Sequence, residues 1–166
     1  MKKSFIALLS FFSLFIISFN LQAATSTQIA NQTAILRGLL IINKTADLNF
    51  ATLLFSKASG TTLLTVPPTG AATVTNGGQI VGTPVPAAFS FTGDNNLVVT
   101  LTVTGTTLIP GGGGTALAVP TYTLSQGSVT LNSSGAGATT VGAALSVPSS
   151  AVADTYTGTL TLTANY

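Results

Sequence analysis

The chain has no cysteine, no histidine and no tryptophan, and its three acidic residues are all aspartates. Each absence closes off a class of function. Without cysteine there can be no disulfide, although small extracellular domains often depend on one. Lipid attachment at a processed cysteine is excluded for the same reason. The fold must therefore hold by core burial and strand pairing alone. Without histidine, cysteine or glutamate the chain lacks the usual acid–base pairs. It also lacks a histidine-activated nucleophile and the soft metal ligands. The composition points away from an enzyme and implies no cofactor.

Charge is scarce as well, at 5% of residues. Lys2 and Lys3 belong to a short basic start, followed by an almost unbroken apolar run over residues 4–19. Small residues at Ala23 and Ala24 follow at once, which is the pattern of a secretory signal peptide spanning residues 1–23. The run is short for a membrane span of roughly 20 residues, so an uncleaved anchor is the weaker reading. A type IV pilin leader requires a glutamate early in the mature chain, and there is none. Once the signal leaves, Arg37, Lys44 and Lys57 balance Asp47, Asp94 and Asp154. No basic footprint remains for nucleic acid. A neutral exported domain is poorly protected against self-association, which permits assembly.

The mature sequence opens with a polar arm, residues 24–33, in which Ile29 is the only large apolar residue. Residues 34–43 predict a strand, with Gly38 as a point where it can kink or change sheets. A turn is expected at 43–47. Residues 61–66 and 71–75 flank Pro67-Pro68-Thr69-Gly70 and predict a hairpin. A second hairpin is expected where Gly93-Asp94-Asn95-Asn96 joins Phe89 and Phe91 to Val99, Leu101 and Val103. Residues 111–114 are a glycine loop without the lysine and strand–helix context of a phosphate site. Tyr122 is a candidate exposed ring. Residues 141–147 alternate, and one core is expected to hold Phe89, Phe91, Val99, Leu101, Val103, Leu145, Leu160 and Leu162. Roughly nine short strands with regular turn signals imply an antiparallel sandwich or barrel.

The organising stretch is residues 155–166. Tyr156, Gly158, Leu160, Leu162, Ala164 and Tyr166 fall on one face, and threonines with Asn165 fall on the other. That is period two without a break, the signature of a strand with one face on a core. Threonine suits the wet face of a pleated surface. Asp94 in its turn could contribute to a calcium site, but a cage needs more oxygen ligands than this turn offers. Asp47 and Asp154 read as turn formers. Three matches to the glycosylation pattern, at Asn31, Asn43 and Asn132, are expected by chance in so Asn- and Thr-rich a chain.

The block Thr140-Val141-Gly142-Ala143-Ala144-Leu145, followed by the stretch from Tyr156 to Tyr166, resembles the ending of a family of secreted bacterial proteins of uncharacterised function. Leu39-Leu40-Ile41-Ile42-Asn43 and Leu48-Asn49-Phe50 resemble its start. Its members are similar to fimbrial subunits of the chaperone–usher type. The resemblance implies a pilin-like, immunoglobulin-like antiparallel β-sandwich over residues 34–166 that lacks its final strand. It implies a homo-polymer formed by strand addition at the cell surface, with a periplasmic chaperone and an outer-membrane usher as partners. The partner-binding residues it implies are Ile29 in the arm and Tyr156, Leu160, Leu162, Ala164 and Tyr166 in the last strand. Two other readings stay open. One is a carbohydrate-binding or adhesive module that takes a host or surface glycan. The other is a small outer-membrane barrel, for which the strands fall short of the roughly 9–11 residues needed to span.

Overall fold

The computed structural model describes Gln28, residues 30–58 and residues 60–166. The expected signal peptide and Ile29 lie outside the described residues. The chain divides into two units, Met1–Ile35 and Leu36–Tyr166. In the first, Gln28 and residues 30–35 are exposed and without regular structure. The second unit is all-β, with no helix among the described residues.

Its larger sheet has the order β1-β6-β11-β3-β4, with β9 also on β11. These strands are β1 (Ile41–Ala46), β3 (Thr62–Val66), β4 (Thr73–Val74), β6 (Ala87–Thr92), β9 (Ala118–Leu124) and β11 (Ala136–Val147). The smaller sheet has the order β10-β7-β13, from β7 (Val98–Gly105), β10 (Ser128–Thr130) and β13 (Leu160–Asn165). Two short ladders complete the fold. One joins β2 (Thr52–Leu54) to β5 (Gln79–Val81), the other β8 (Ile109–Pro110) to β12 (Tyr156–Thr157). Every pairing is antiparallel. Neither main sheet closes on itself, so the architecture is a sandwich and not a barrel.

Alternation along the strands builds the core between the sheets. Ala87, Phe89 and Phe91 of β6 and Val141 of β11 meet Val99 and Leu101 of β7, Val129 of β10 and the adjacent Leu131. A second cluster gathers Leu64, Leu145 and Val147 with Leu117 and Ala151. The single core expected from the sequence is thus two clusters, and Leu145 belongs to the second. The separation follows from β11. Its first half pairs with β6 and its second half with β3, so one long strand spans both clusters. Gly142 stands between the two registers. A Cβ there would run into the backbone of Val66, Pro67 and Pro68, so the turn after β3 passes where only glycine leaves room. The hydroxyl of Thr140 donates to the Pro68 carbonyl at 2.8 Å and fixes that approach.

Four expectations are corrected. The stretch Gly93-Asp94-Asn95-Asn96 does not make a hairpin: β6 pairs with β1 and β11, and β7 with β10 and β13. It is a corner between sheets, because the apolar faces of β6 and β7 oppose each other across the core. The strand expected at 34–43 begins only at Ile41 and runs on to Ala46, through the turn expected at 43–47. Its partner β6 sets that limit, since Thr92 pairs with Ile41 and the chain then leaves the sheet at Gly93. Among the described residues, 36–40 have no strand edge to pair with. The hairpin around Pro67-Pro68 forms as expected, from β3 and β4. The long final strand breaks into β12 and β13. At the break, a Cβ on Gly158 would come within 2.8 Å of Leu108 Cδ2 and 2.9 Å of Thr107 O. Finally, Tyr122 is not an exposed ring. It lies half-buried over Gly105, its hydroxyl donates to Thr106 O at 3.1 Å, and burial raises its pKa above the ordinary value.

Candidate functional site

The residues singled out in the last strand lie along one open side of the sandwich. β13 pairs with β7 in continuous register, from Leu160 opposite Gly105 to Asn165 opposite Thr100. Its other edge has no strand partner among the described residues. Leu160, Leu162 and Ala164 point inward but stay half-buried, while Val99 and Leu101 of neighbouring β7 are 0% and 4% exposed. The difference arises because β7 has a strand on each side and β13 has only one.

Across this side lies β1, the outermost strand of the larger sheet. Leu40 and Ile42 pack on the same cluster as Leu160, Leu162 and Ala164 and are likewise half-buried. The two strands run in opposite directions along the gap, as their ends show. At one end a cleft of about 880 Å³ opens between the segment after β1 and the start of β13. Leu48, Phe50, Leu108, Tyr122, Tyr156 and Leu160 give it an apolar lining. At the other end, Asp94 in the corner after β6 touches both strands' surroundings. Its carboxylate accepts the Gly38 N–H at 2.8 Å, and its own N–H donates to the Tyr166 hydroxyl at 2.6 Å.

Of the expected partner-binding residues, Leu160, Leu162 and Ala164 are therefore brought together on the gap. Tyr156 sits at the cleft end, where its hydroxyl donates to Val152 O at 2.9 Å and its ring packs on the second cluster. Tyr166 is set apart at the corner, 41% exposed. Ile29 lies outside the described residues. Sequence reasoning missed Leu40, Ile42, Leu48 and Phe50 as the facing wall, and Asp94 as the tie between the ends. Alternation marks Leu48 and Phe50 as inward, whereas both faces are apolar from Leu39 to Ile42, and nothing local tells which inward residues face a gap. The other aspartates serve local structure. Asp47 pairs with Lys44, and Asp154 accepts from the amides of Gly112 at 2.8 Å and Thr155 at 2.7 Å.

The chemistry offered along the gap is apolar side chains next to a free strand edge. Such an arrangement takes up an extended chain, whose backbone completes the ladder while alternate side chains enter the core. A family described as "Domain of unknown function (DUF4402)" matches residues 40–166. The chain belongs to this family. The DUF4402 match covers the whole of β1 and of β13, and so contains both walls of the gap. No curated protein and no solved structure matches the chain significantly.

Proposed function

We propose that this DUF4402 protein is an exported structural subunit of a bacterial fimbria-like surface filament, assembling by β-strand addition and serving adhesion or biofilm formation. The observation that carries the reading is the unpaired outer edge of β13, charge-free over Leu160–Asn165 and backed by half-buried Leu160, Leu162 and Ala164. An immunoglobulin-like sandwich one strand short would present this gap. Filling it from a neighbouring copy joins subunits head to tail, and such a contact repeats into a filament instead of closing. A periplasmic chaperone covering the same edge, and an usher at the outer membrane, would keep the subunit from premature assembly.

The arm at 24–33 is the proposed donor. Its removal from the mature chain should leave the fold intact and abolish polymers, as read by sedimentation and electron microscopy beside the full mature protein. Two soluble monomers of equal stability would overturn the reading, because the sandwich would then be sufficient by itself.

A further inference from the structure

The gap between β1 and β13 is open at the cleft and tied at the other end. We propose that Asp94 is a positioning residue that clasps the chain entering β1 to the end of β13, closes the gap there, and so sets where an added strand must stop. Its role in assembly rests on the strand-addition reading; the clasp itself does not.

Three observations carry it. First, a single corner residue holds both walls. Asp94 accepts from Gly38, 56 residues earlier, and donates to Tyr166, 72 residues later. Second, the fit is close on both sides. A Cβ on Gly38 would overlap the Asp94 carboxylate, and one on Gly93 would overlap the Tyr166 hydroxyl. Gly38 does not have the positive φ that would itself call for glycine, so the requirement at this position is contact with Asp94. Third, Gly38 lies ahead of the β1–β6 ladder, which starts at Ile41. It is exposed, and the large apolar residues beside it, Leu36 and Leu39, are 86% and 80% exposed. The carboxylate hydrogen bond ties the backbone just ahead of Leu40 and Ile42, which pack on the core. Corner, first wall and last wall are thus one unit. An added strand running along β13 from the cleft meets the Asp94 corner at the far end of β13, beside Tyr166.

The Arg37–Gly38 bond provides a direct readout, since trypsin cuts after arginine and needs the chain on both sides to be free. Limited digestion of the full mature chain should cut there slowly. Asp94→Ala should speed that cut about tenfold, the factor a lost hydrogen bond to a charged acceptor supports. Gly38→Ala should do the same from the other side by displacing the carboxylate, and the two changes together should add little to either alone. Asp94→Asn, which keeps an acceptor oxygen, should stay near the wild-type rate. Cuts after Lys44 and Lys57 in the same digest should not change. Unchanged cutting at Arg37 in both alanine variants would overturn the clasp, and so would equal acceleration at Lys44, which signals general loosening. Sedimentation of the same proteins reads assembly separately. Faster cutting at Arg37 in a chain that never polymerises would leave the clasp standing and remove the filament.

Discussion

An open side should leave a measurable deficit in the energetics of β13. Leu101 and Leu162 are the same side chain, on adjacent strands of one sheet, facing the same cluster. Leu101 is 4% exposed and Leu162 is half-buried. Truncating a buried leucine to alanine costs about 2–5 kcal/mol, of which part is transfer of the lost atoms and part is the cavity left behind. Leu101→Ala should fall in that range. At Leu162 the cavity part vanishes, because a gap open to water cannot hold an empty hole. The transfer part also shrinks, since the side chain is already partly wet. With roughly 1.5–3 kcal/mol for full burial of a leucine, a side chain that is mostly but not fully buried leaves about 1–2 kcal/mol for Leu162→Ala. Thr161→Ala, on the solvent face next to Leu162, should cost less than that.

The assay is urea unfolding of monomeric mature protein, followed by a spectroscopic probe at matched concentrations below any assembly. The same variants should then be measured after an arm peptide covering 24–33 is added in excess. If the peptide fills the gap, the cost of Leu162→Ala should rise towards that of Leu101→Ala. A Leu162→Ala cost equal to Leu101→Ala in protein shown to be monomeric and peptide-free refutes the reasoning, because β13 would then already be covered.

Two further outcomes follow from single positions. Gly142→Ala should destabilise the fold by about 1–3 kcal/mol, since the added carbon meets backbone that cannot rotate away; chemical denaturation measures it, and a neutral effect would contradict the placement of the Pro67-Pro68 turn. Tyr122 should ionise above the ordinary tyrosine value because burial disfavours the phenolate. A raised folded-state pKa means its contribution is fully present below the unfolded value of about 10 and is lost as pH rises through the folded one, so Tyr122→Phe should flatten the alkaline fall in stability, read by unfolding curves above that pH.

The strands themselves were legible because threonine alternates cleanly with valine, leucine or alanine, as in β7 and β13. Their partners were not. Val99 and Leu101 would satisfy their inward face equally well beside β6 or beside β13, and alternation fixes which face is buried but not which strand lies alongside. The same ambiguity made Gly93-Asp94-Asn95-Asn96 look like a hairpin. Its residues tolerate a sharp reversal, which serves a corner between sheets as readily as a turn within one. Glycines were misread for a related reason. Gly158 fits the period of the last stretch, so nothing local revealed that Leu108 and Thr107 crowd it and split the strand. The inward set Leu160, Leu162 and Ala164 was correct from sequence, whereas their half-burial depends on a strand that is not beside them. Burial of that kind is a property of neighbours, and the sequence of β13 carries no trace of it.

The contrast among the sheet edges bears most directly on function. Five strands lie at the edges of the two main sheets: β1, β4, β9, β10 and β13. Free edges invite pairing with other chains, and proteins blunt them with short strands, lysine, proline or bulges. β4 has two residues and β10 three, too short to template a partner. β9 carries Pro120, and its register with β11 shifts between Ala144 and Ser146. β1 carries Lys44, and its register shifts between Lys44 and Ala46. β13 alone has none of these devices. It is six residues long, holds register with β7 throughout, and contains no lysine, no proline and no charge. A chain that protects four of its edges and leaves the fifth regular, apolar on one face and open over a cleft has an edge suited to being paired. The balance of Arg37, Lys44 and Lys57 against Asp47, Asp94 and Asp154 from residue 24 on fits the same end, since no net charge repulsion opposes the approach of a second copy. The asymmetry also explains why the two walls of the gap are not equivalent: β1 bounds it on the far side, and β13 supplies the ladder that an incoming strand would continue.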